Sequence, residues 1–371
     1  MAIYIVLYVF FALLALLDLL KYTREVKPYV CFFAVSLLIF VSSIRWNVGT
    51  DWYSYLDFYE RIDSYIQQPE LNMMERGFSY LNYIVYHLGW NYSGFLTVMA
   101  ILMIGIKVRV FYEHKAIMML LLFLYYCYFL GDIFGVRQFL AISITLFSVR
   151  YIVSRSLLAF LSCIVLASSI HITAAFFVFS YWIYPFRYSP SMLYFSLLVA
   201  LILGFMDVGG MTARAVMNMV GIDSRVGDKL MQYGDDGMDT AQGNPYVSFA
   251  VGVAKRALFL PVFIQARRYV ADRYLAMYTG YLNLLVFGNM IYLIFMISLP
   301  VIARLSTGFL IFEIFILAML VITVRDKWIR LLAFGIVLLF GAFRLYNLLS
   351  VYWDLYVPFE TIFAPSNIKR E

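Results

Sequence analysis

Apolar runs of roughly 15–25 residues follow one another from Ala2 to about Leu349, broken by short polar turns. At about 1.5 Å of rise per residue, each run wound as a helix crosses most of a ~30 Å hydrocarbon layer. Backbone polar groups in lipid must be satisfied within the chain, and the residue-by-residue alternation of a membrane barrel is absent. The runs therefore read as helices. Hydrophobic residues make up 64% of the chain and charged residues 13%. A soluble domain has about half apolar and a quarter charged residues, so one water-exposed core could not hide this surface. The expected fold is an all-α polytopic integral membrane protein of about 12 transmembrane helices. Spans are read near 2–20, 29–44, 93–109, 115–131, 136–153, 157–170, 172–185, 191–207, 246–264, 274–302, 305–324 and 331–349. Residues 1–371 form a single membrane domain, with two longer extracytoplasmic loops at about 45–90 and 208–245.

Charge orients the spans. Lys21, Arg24 and Lys27 follow the first run, and no basic stretch precedes it, which fits an anchor with its N-terminus outside rather than a cleavable signal peptide. Lys107, Arg109 and Lys115, then Arg150, Arg155 and Arg187, share that side. Arg267, Arg268 and Arg273, then Arg325, Lys327 and Arg330, complete it. By the positive-inside rule this is the cytoplasmic face. The net charge of +6 lies in these loops, so it marks orientation and gives no ground for a nucleic-acid partner. Counting Gly77–Trp90 as a span would invert everything downstream. Phe78, Leu81, Val85 and Leu88 fall on one helical face there, with Asn82, Tyr86 and His87 elsewhere, as in an interfacial helix. Cys31, Cys127 and Cys163 lie inside apolar runs without metal or disulfide spacing.

Four polar features share the outer face. Arg45 opens RWNVGTDWYSYLDFY directly after the second span. Arg137 and Gln138 stand in GDIFGVRQFLA at the entrance to the fifth. His171 separates two short runs, and Arg304 two long ones. An arginine at mid-span costs about 2.5–3.5 kcal/mol on insertion scales, so each needs a reason. Snorkelling, or an ion pair with Asp51 or Asp132, is the plain reason for any one of them. Three on one face, with a histidine, favour an anionic site. The runs flanking His171 are about 14 residues, roughly 21 Å as helix, which places it at an apex just below the outer surface. It reads either as a hydrogen-bonded packing histidine or as a general base, since an imidazole's ordinary pKa of about 6.5 suits neutral pH. Lys255 and Arg256, mid-run in 246–264, read as structural charges. Asp235, Asp236 and Asp239 lack the calcium-loop pattern. No nucleotide-binding, zinc-protease or serine-hydrolase motif is present. No cofactor or metal is expected, and the chemistry would draw on a preactivated substrate or a gradient.

At these residues the chain resembles the bacterial O-antigen and exopolysaccharide polymerases, the Wzy class, and specifically its EpsG-like branch. The resemblance rests on R-x-x-V-G-T-D-W-x-x-Y from Arg45 to Tyr55 and V-R-Q-x-L-A from Val136 to Ala141. His171 after a short apolar run and A-R-L at Arg304 continue it. An aromatic pair often follows the late arginine in such polymerases, whereas Ser306-Thr307-Gly308-Phe309 stands here. The resemblance implies glycosyl transfer at the outer face of the bacterial cytoplasmic (inner) membrane. Its substrates would be undecaprenyl-diphosphate-linked oligosaccharides, with a chain-length regulator and a flippase as further partners. Arginine forks suit phosphate oxygens by charge and geometry. On this reading His171, Asp51, Arg137 and Arg304 are the catalytic candidates, with His171 as leading base and Asp51 second. Arg45 and Gln138 bind substrate, and Trp46, Trp52 and Tyr55 offer rings to sugar faces. A lipid-linked oligosaccharide flippase and an O-antigen ligase are the alternatives. A flippase would be expected to carry charges along a central cavity between comparable halves.

Overall fold

The computed structural model describes residues 1–19, 25–212, 245–297 and 299–365. Lys21, Arg24, Asp235, Asp236 and Asp239 fall outside these residues, as does most of the loop read at 208–245. Helix is the dominant element, and the only β pairing among the described residues is isolated bridges. Among the described residues, five helices are long and apolar enough to cross a membrane: Tyr92–His114, Phe249–Tyr269, Asp272–Phe295, Arg304–Thr323 and Lys327–Val351. Shorter apolar helices occupy Ala2–Asp18, Lys27–Ser43, Met118–Tyr128, Leu157–Ile170, Ile172–Ile183 and Pro190–Phe205. The chain is an all-helical membrane protein. Within 1–371, contacts fall into two compact units: Met1–Ala175 with Leu317–Glu371, and Phe176–Ile316.

The first unit contains α1 (Ala2–Ala15), α2 (Lys27–Ser43), α3 (Trp52–Glu60), α4 (Ile62–Gln67), α5 (Arg76–His87), α6 (Tyr92–Phe111), α7 (Met118–Tyr128), α8 (Leu130–Ile133), α9 (Arg137–Val153) and α10 (Leu157–Ile170). Every residue of α7 is buried, as befits a helix that is apolar all round and packed on all sides. It touches α1, α6 and the later helix Lys327–Val351. Local signals start the helices where they start. The Asn91 side chain accepts from Gly94 N at 2.9 Å to cap α6, and Asp326 accepts from Trp328 and Ile329 N, both at 2.9 Å, to cap Lys327–Val351. Helices α3, α4 and α5 form a small aromatic layer, where Trp52, Phe58, Tyr59 and Phe78 pack with Tyr92 and Phe95 of α6.

The stretch at 77–90 is helical as α5, and it falls outside the helices apolar enough to span. Its face differs from the sequence expectation in two places. Asn82 is buried, donating to its own helix at Phe78 O (2.8 Å), and Leu88 at the helix end is exposed. A side chain that bonds its own helix can be buried at little cost, and helical periodicity does not register this.

A larger correction concerns Lys107. Read as part of the cytoplasmic cluster, it is wholly buried within α6. Its ammonium lies 3.1 Å from Asp132 and donates to Ser143 Oγ (2.6 Å) and Phe139 O (3.0 Å). A buried ammonium needs this full set of partners. Asp132, read as a partner for an arginine, belongs to Lys107.

The second unit holds α11 (Ser180–Ile183), α12 (Pro190–Phe205), α13 (Pro245–Ala266), α14 (Asp272–Phe295) and the first part of α15 (Phe312–Thr323). The run read as 274–302 ends as helix at Phe295, and single turns at Pro300–Ala303, Arg304–Ser306 and Thr307–Leu310 precede α15. Asn283 of α14 donates to the carbonyls of Ile183, Tyr184 and Phe186 at 3.2, 3.3 and 2.7 Å, satisfying the open end of α11. Helix α13 runs unbroken through Lys255 and Arg256. Lys255 lies 3.6 Å from Glu313, and the Arg256 guanidinium lies 3.4 Å from the centre of the Tyr292 ring. Both charges are accounted for inside the unit. The final helices of the chain, α16 (Lys327–Val351) and α17 (Trp353–Tyr356), belong to the first unit.

Candidate functional site

Three polar segments of the first unit converge, and the carboxylate that gathers them is Glu75. It occupies the N-cap of α5 with extended backbone, but its side chain makes no capping bond to its own helix. Instead Oε2 accepts from Arg137 Nη1 at 3.0 Å, while Oε1 accepts from the backbone N–H of Ile172 at 3.0 Å and lies 3.3 Å from His171 Nδ1. Burial alone would raise its pKa. The nearby His171 ring, the Arg137 charge and the Ile172 N–H overcome this and hold it at about 2. Glu75 is thus a carboxylate at any physiological pH.

Each partner arrives by a local rule. His171 caps the C-terminus of α10, its N–H still bonded to Ala167 O at 2.9 Å, and extended backbone (φ −151°, ψ 117°) ends the helix there. The break between the two short runs falls at His171, where the sequence places it. Arg137 is the first residue of α9, where the helix dipole disfavours a cation. Glu75 offsets that penalty, and the Met74 sulfur and Tyr55 hydroxyl also touch the guanidinium. Gly77 makes the meeting possible. A Cβ at that position would lie 2.7 Å from the Ser169 carbonyl oxygen, so only glycine lets α5 press onto the end of α10.

Arg45 is a second cationic neighbour of Tyr55. Residues 44–46 pair with the C-terminal segment, through Trp46 N to Glu360 O and Ile362 N to Ile44 O, both at 2.9 Å. Gly49, at φ +110° and bonded to Leu355 O, turns the chain against Phe134. The Arg45 side chain is 2% exposed, and neither Nε nor Nη1 has a hydrogen-bond partner. Its surroundings are the Phe134 ring at 5.8 Å and the hydroxyls of Tyr92, Tyr356 and Tyr55. Burial pulls its pKa down to about 10, with the three tyrosines opposing. Tyr55, which feels Arg137, Asp51 and Glu75 as well, is pushed up to about 12 by burial.

The other residues singled out in the sequence divide as follows. Asp51 precedes α3, is exposed, and accepts from Thr50 Oγ1 at 3.2 Å. Gln138 is half-buried on the first turn of α9. Trp46 is half-buried with its ring 4.8 Å from Trp52. Trp52 is a core residue, enclosed by Trp46, Tyr53 and Tyr92. Arg304 belongs to the second unit, exposed on its turn. The structure therefore brings Arg45, Tyr55, Arg137 and His171 into one neighbourhood of the first unit. It adds Glu75, Tyr92 and Tyr356, which sequence reasoning missed. Glu75 was one of six acidic residues in the 45–76 loop, and Tyr356 lies some three hundred residues from Arg45 in the chain. Among the described residues, no group of three His, Cys, Asp or Glu side chains is placed to hold a metal ion.

No curated protein and no solved structure matches the chain. The EpsG family matches residues 28–361, nearly its whole length and across every segment of this neighbourhood. The chain belongs to the EpsG family.

Proposed function

We propose that this protein is a polysaccharide polymerase of the bacterial cytoplasmic (inner) membrane. It transfers a growing glycan from undecaprenyl diphosphate onto a lipid-linked repeat unit at the outer face. The observation that carries the reading is Arg45, a buried guanidinium with two unpaired nitrogens, one tyrosine away from Arg137. A buried cation without a counter-charge is costly unless an anion completes it. Family membership points the same way, toward a polysaccharide polymerase-like membrane protein.

The chemistry follows from the substrate. The acceptor hydroxyl gives its proton to a base as its oxygen bonds the anomeric carbon, and the C1–O bond to the diphosphate breaks with the electron pair leaving on phosphate. A diphosphate leaves readily, so stabilisation of developing negative charge matters more than a general acid. Arg45 supplies that charge, with Arg137, which shares Tyr55 as a neighbour, and Gln138 as a neutral donor. Arg304, a residue of the second unit, is a further catalytic candidate on the family resemblance alone. His171 is the base, Asp51 the second candidate, and Trp46 and Tyr55 meet the sugars, with Trp52 packed against Trp46. On this reading arginine forks rather than a metal meet the diphosphate, so polymerisation by purified protein is expected to continue in excess EDTA. Loss of activity restored by magnesium would overturn that part.

The deciding experiment is analysis of lipid-linked glycans in cells lacking the gene. Single repeat units on the lipid carrier at the outer face are expected to accumulate. Repeats retained on the cytoplasmic face would identify a flippase, and polymer left on its carrier would identify a ligase.

A further inference from the structure

Glu75 accepts hydrogen bonds from Arg137 Nη1 and Ile172 N, and its Oε1 also lies 3.3 Å from His171 Nδ1. A permanent carboxylate therefore faces the Nδ1 side of the imidazole at 3.3 Å, within reach but short of an aligned hydrogen bond, and Nδ1 is bonded to no other group. Among the described residues, Nε2 makes no hydrogen bond. We infer that Glu75 is a positioning residue which holds His171 in the Nδ1-protonated tautomer, leaving Nε2 as the lone pair that takes the acceptor proton. This rests on the polymerase reading for its catalytic consequence, but not for the tautomer itself.

A neutral imidazole carries one proton, and the hydrogen bond made by one nitrogen decides which nitrogen is the base. At 3.3 Å the Nδ1–Oε1 contact is long for a charge-assisted bond, and such contacts commonly tighten when substrate binds. Glu75 cannot replace His171 as the base. Its oxygens are occupied by donors, and its low pKa makes it a poor proton acceptor. Its charge does a different task, stabilising the imidazolium formed once Nε2 has taken the proton. The charged and titratable groups facing Glu75 are Arg137 from α9, His171 at the end of α10 and Tyr55 from α3. Arg137 holds the carboxylate oxygen that His171 does not face, and so steadies the group that positions the base.

A carboxamide could not perform this role. Glutamine has one acceptor oxygen and an NH₂, so one of the two sides facing Arg137 and His171/Ile172 would meet donor with donor. Replacing a triad aspartate by asparagine in serine proteases costs about 10⁴ in kcat for this reason.

The test is ¹⁵N NMR of histidine-labelled protein in nanodiscs, with the His171 signals assigned by difference from His171→Gln. The wild type should show Nδ1 protonated and Nε2 unprotonated at neutral pH. Glu75→Gln should move His171 toward the Nε2-protonated form, and Glu75→Asp, which keeps the charge, should largely retain the wild-type signature. In polymerisation assays Glu75→Gln should lower kcat by about 10²-fold or more, with KM for the lipid-linked repeat changed only a few-fold. A wild-type His171 protonated on Nε2, or a signature unmoved in Glu75→Gln, overturns the inference. If the glutamine variant does not accumulate, the wild-type spectrum alone decides. Full activity in His171→Ala would refute His171 as the base, while the spectrum would still report on Glu75 and the tautomer separately.

Discussion

Arg45 is a liability in the empty protein. Burying an uncompensated guanidinium costs folding free energy, and its lowered pKa expresses the same penalty. Replacing even a buried ion pair by apolar groups of similar volume is commonly neutral or stabilising by about 1–4 kcal/mol, and an unpaired charge has no partner to lose. Arg45→Met is therefore expected to hold or raise the thermal midpoint of substrate-free protein in detergent while abolishing polymer formation. A clear fall in the midpoint would mean that Arg45 is already satisfied and holds the fold instead. Glu75 behaves in the opposite sense. Its folded-state pKa of about 2 lies below the ordinary 4.5. The stabilisation it contributes is complete above about 4.5 and is lost as pH falls through about 2. The stability gap between wild type and Glu75→Gln should thus stay level from pH 8 to about 5 and shrink only below that. A gap that closes between pH 7 and 5 would contradict the docked carboxylate. Arg45, Arg137 and His171 were legible in the sequence because charge at the edge of an apolar run is anomalous. Glu75 was not, since an acid in an acidic loop is ordinary until its neighbours are known.

Helix α5 shows how a single position without a side chain arranges the site. Its approach to α10 depends on Gly77 against Ser169, and that approach carries Glu75 to His171 and Ile172. Gly77→Val should push the helices apart, so the His171 signature and activity fall together while the remainder of the unit stays folded. Normal activity in that variant would show that α5 accommodates the added carbons elsewhere. The Lys107–Asp132 pair does comparable work for α9, because Lys107 also bonds Phe139 and Ser143 near the helix start that bears Arg137. Removing one partner leaves the other buried and unpaired, at a cost of about 3–5 kcal/mol. Lys107→Met should accordingly reduce accumulation of the protein, and the double variant Lys107→Met with Asp132→Leu should recover much of it. Equal loss in the single and double variants would argue against the pair as the cause. The elements themselves were readable from apolar period and length, including the break at His171. This pairing was not, because the charge rule assigns a lysine near a helix end to the cytoplasm and cannot see a carboxylate folded back to meet it.

Two of the first unit's groups of charge bear on its orientation. One gathers Arg45, Glu75, Arg137 and His171. The other sits toward the C-terminal ends of α6 and α9, where Arg150 and Arg109 both pair with Glu113, at 2.7 and 3.2 Å. Arg137 and Arg150 lie 13 positions apart on one helix, about 20 Å along its axis. The basic group at Arg109, Lys115, Arg150 and Arg155 remains rich in positive charge even after Lys107 is withdrawn from it. The positive-inside rule then assigns that end to the cytoplasm and the Glu75 end to the outside. Exposed serines allow a direct check. Ser64, in α4, and Ser154, just beyond α9, can each be changed to cysteine without touching the proposed site. In intact cells a membrane-impermeant thiol reagent should label Ser64→Cys. Ser154→Cys should label only after the membrane is opened, and wild-type protein, whose cysteines lie within apolar helices, supplies the background. The reverse pattern would place Arg45 and His171 on the cytoplasmic side, where the proposed outer-face substrate could not reach them.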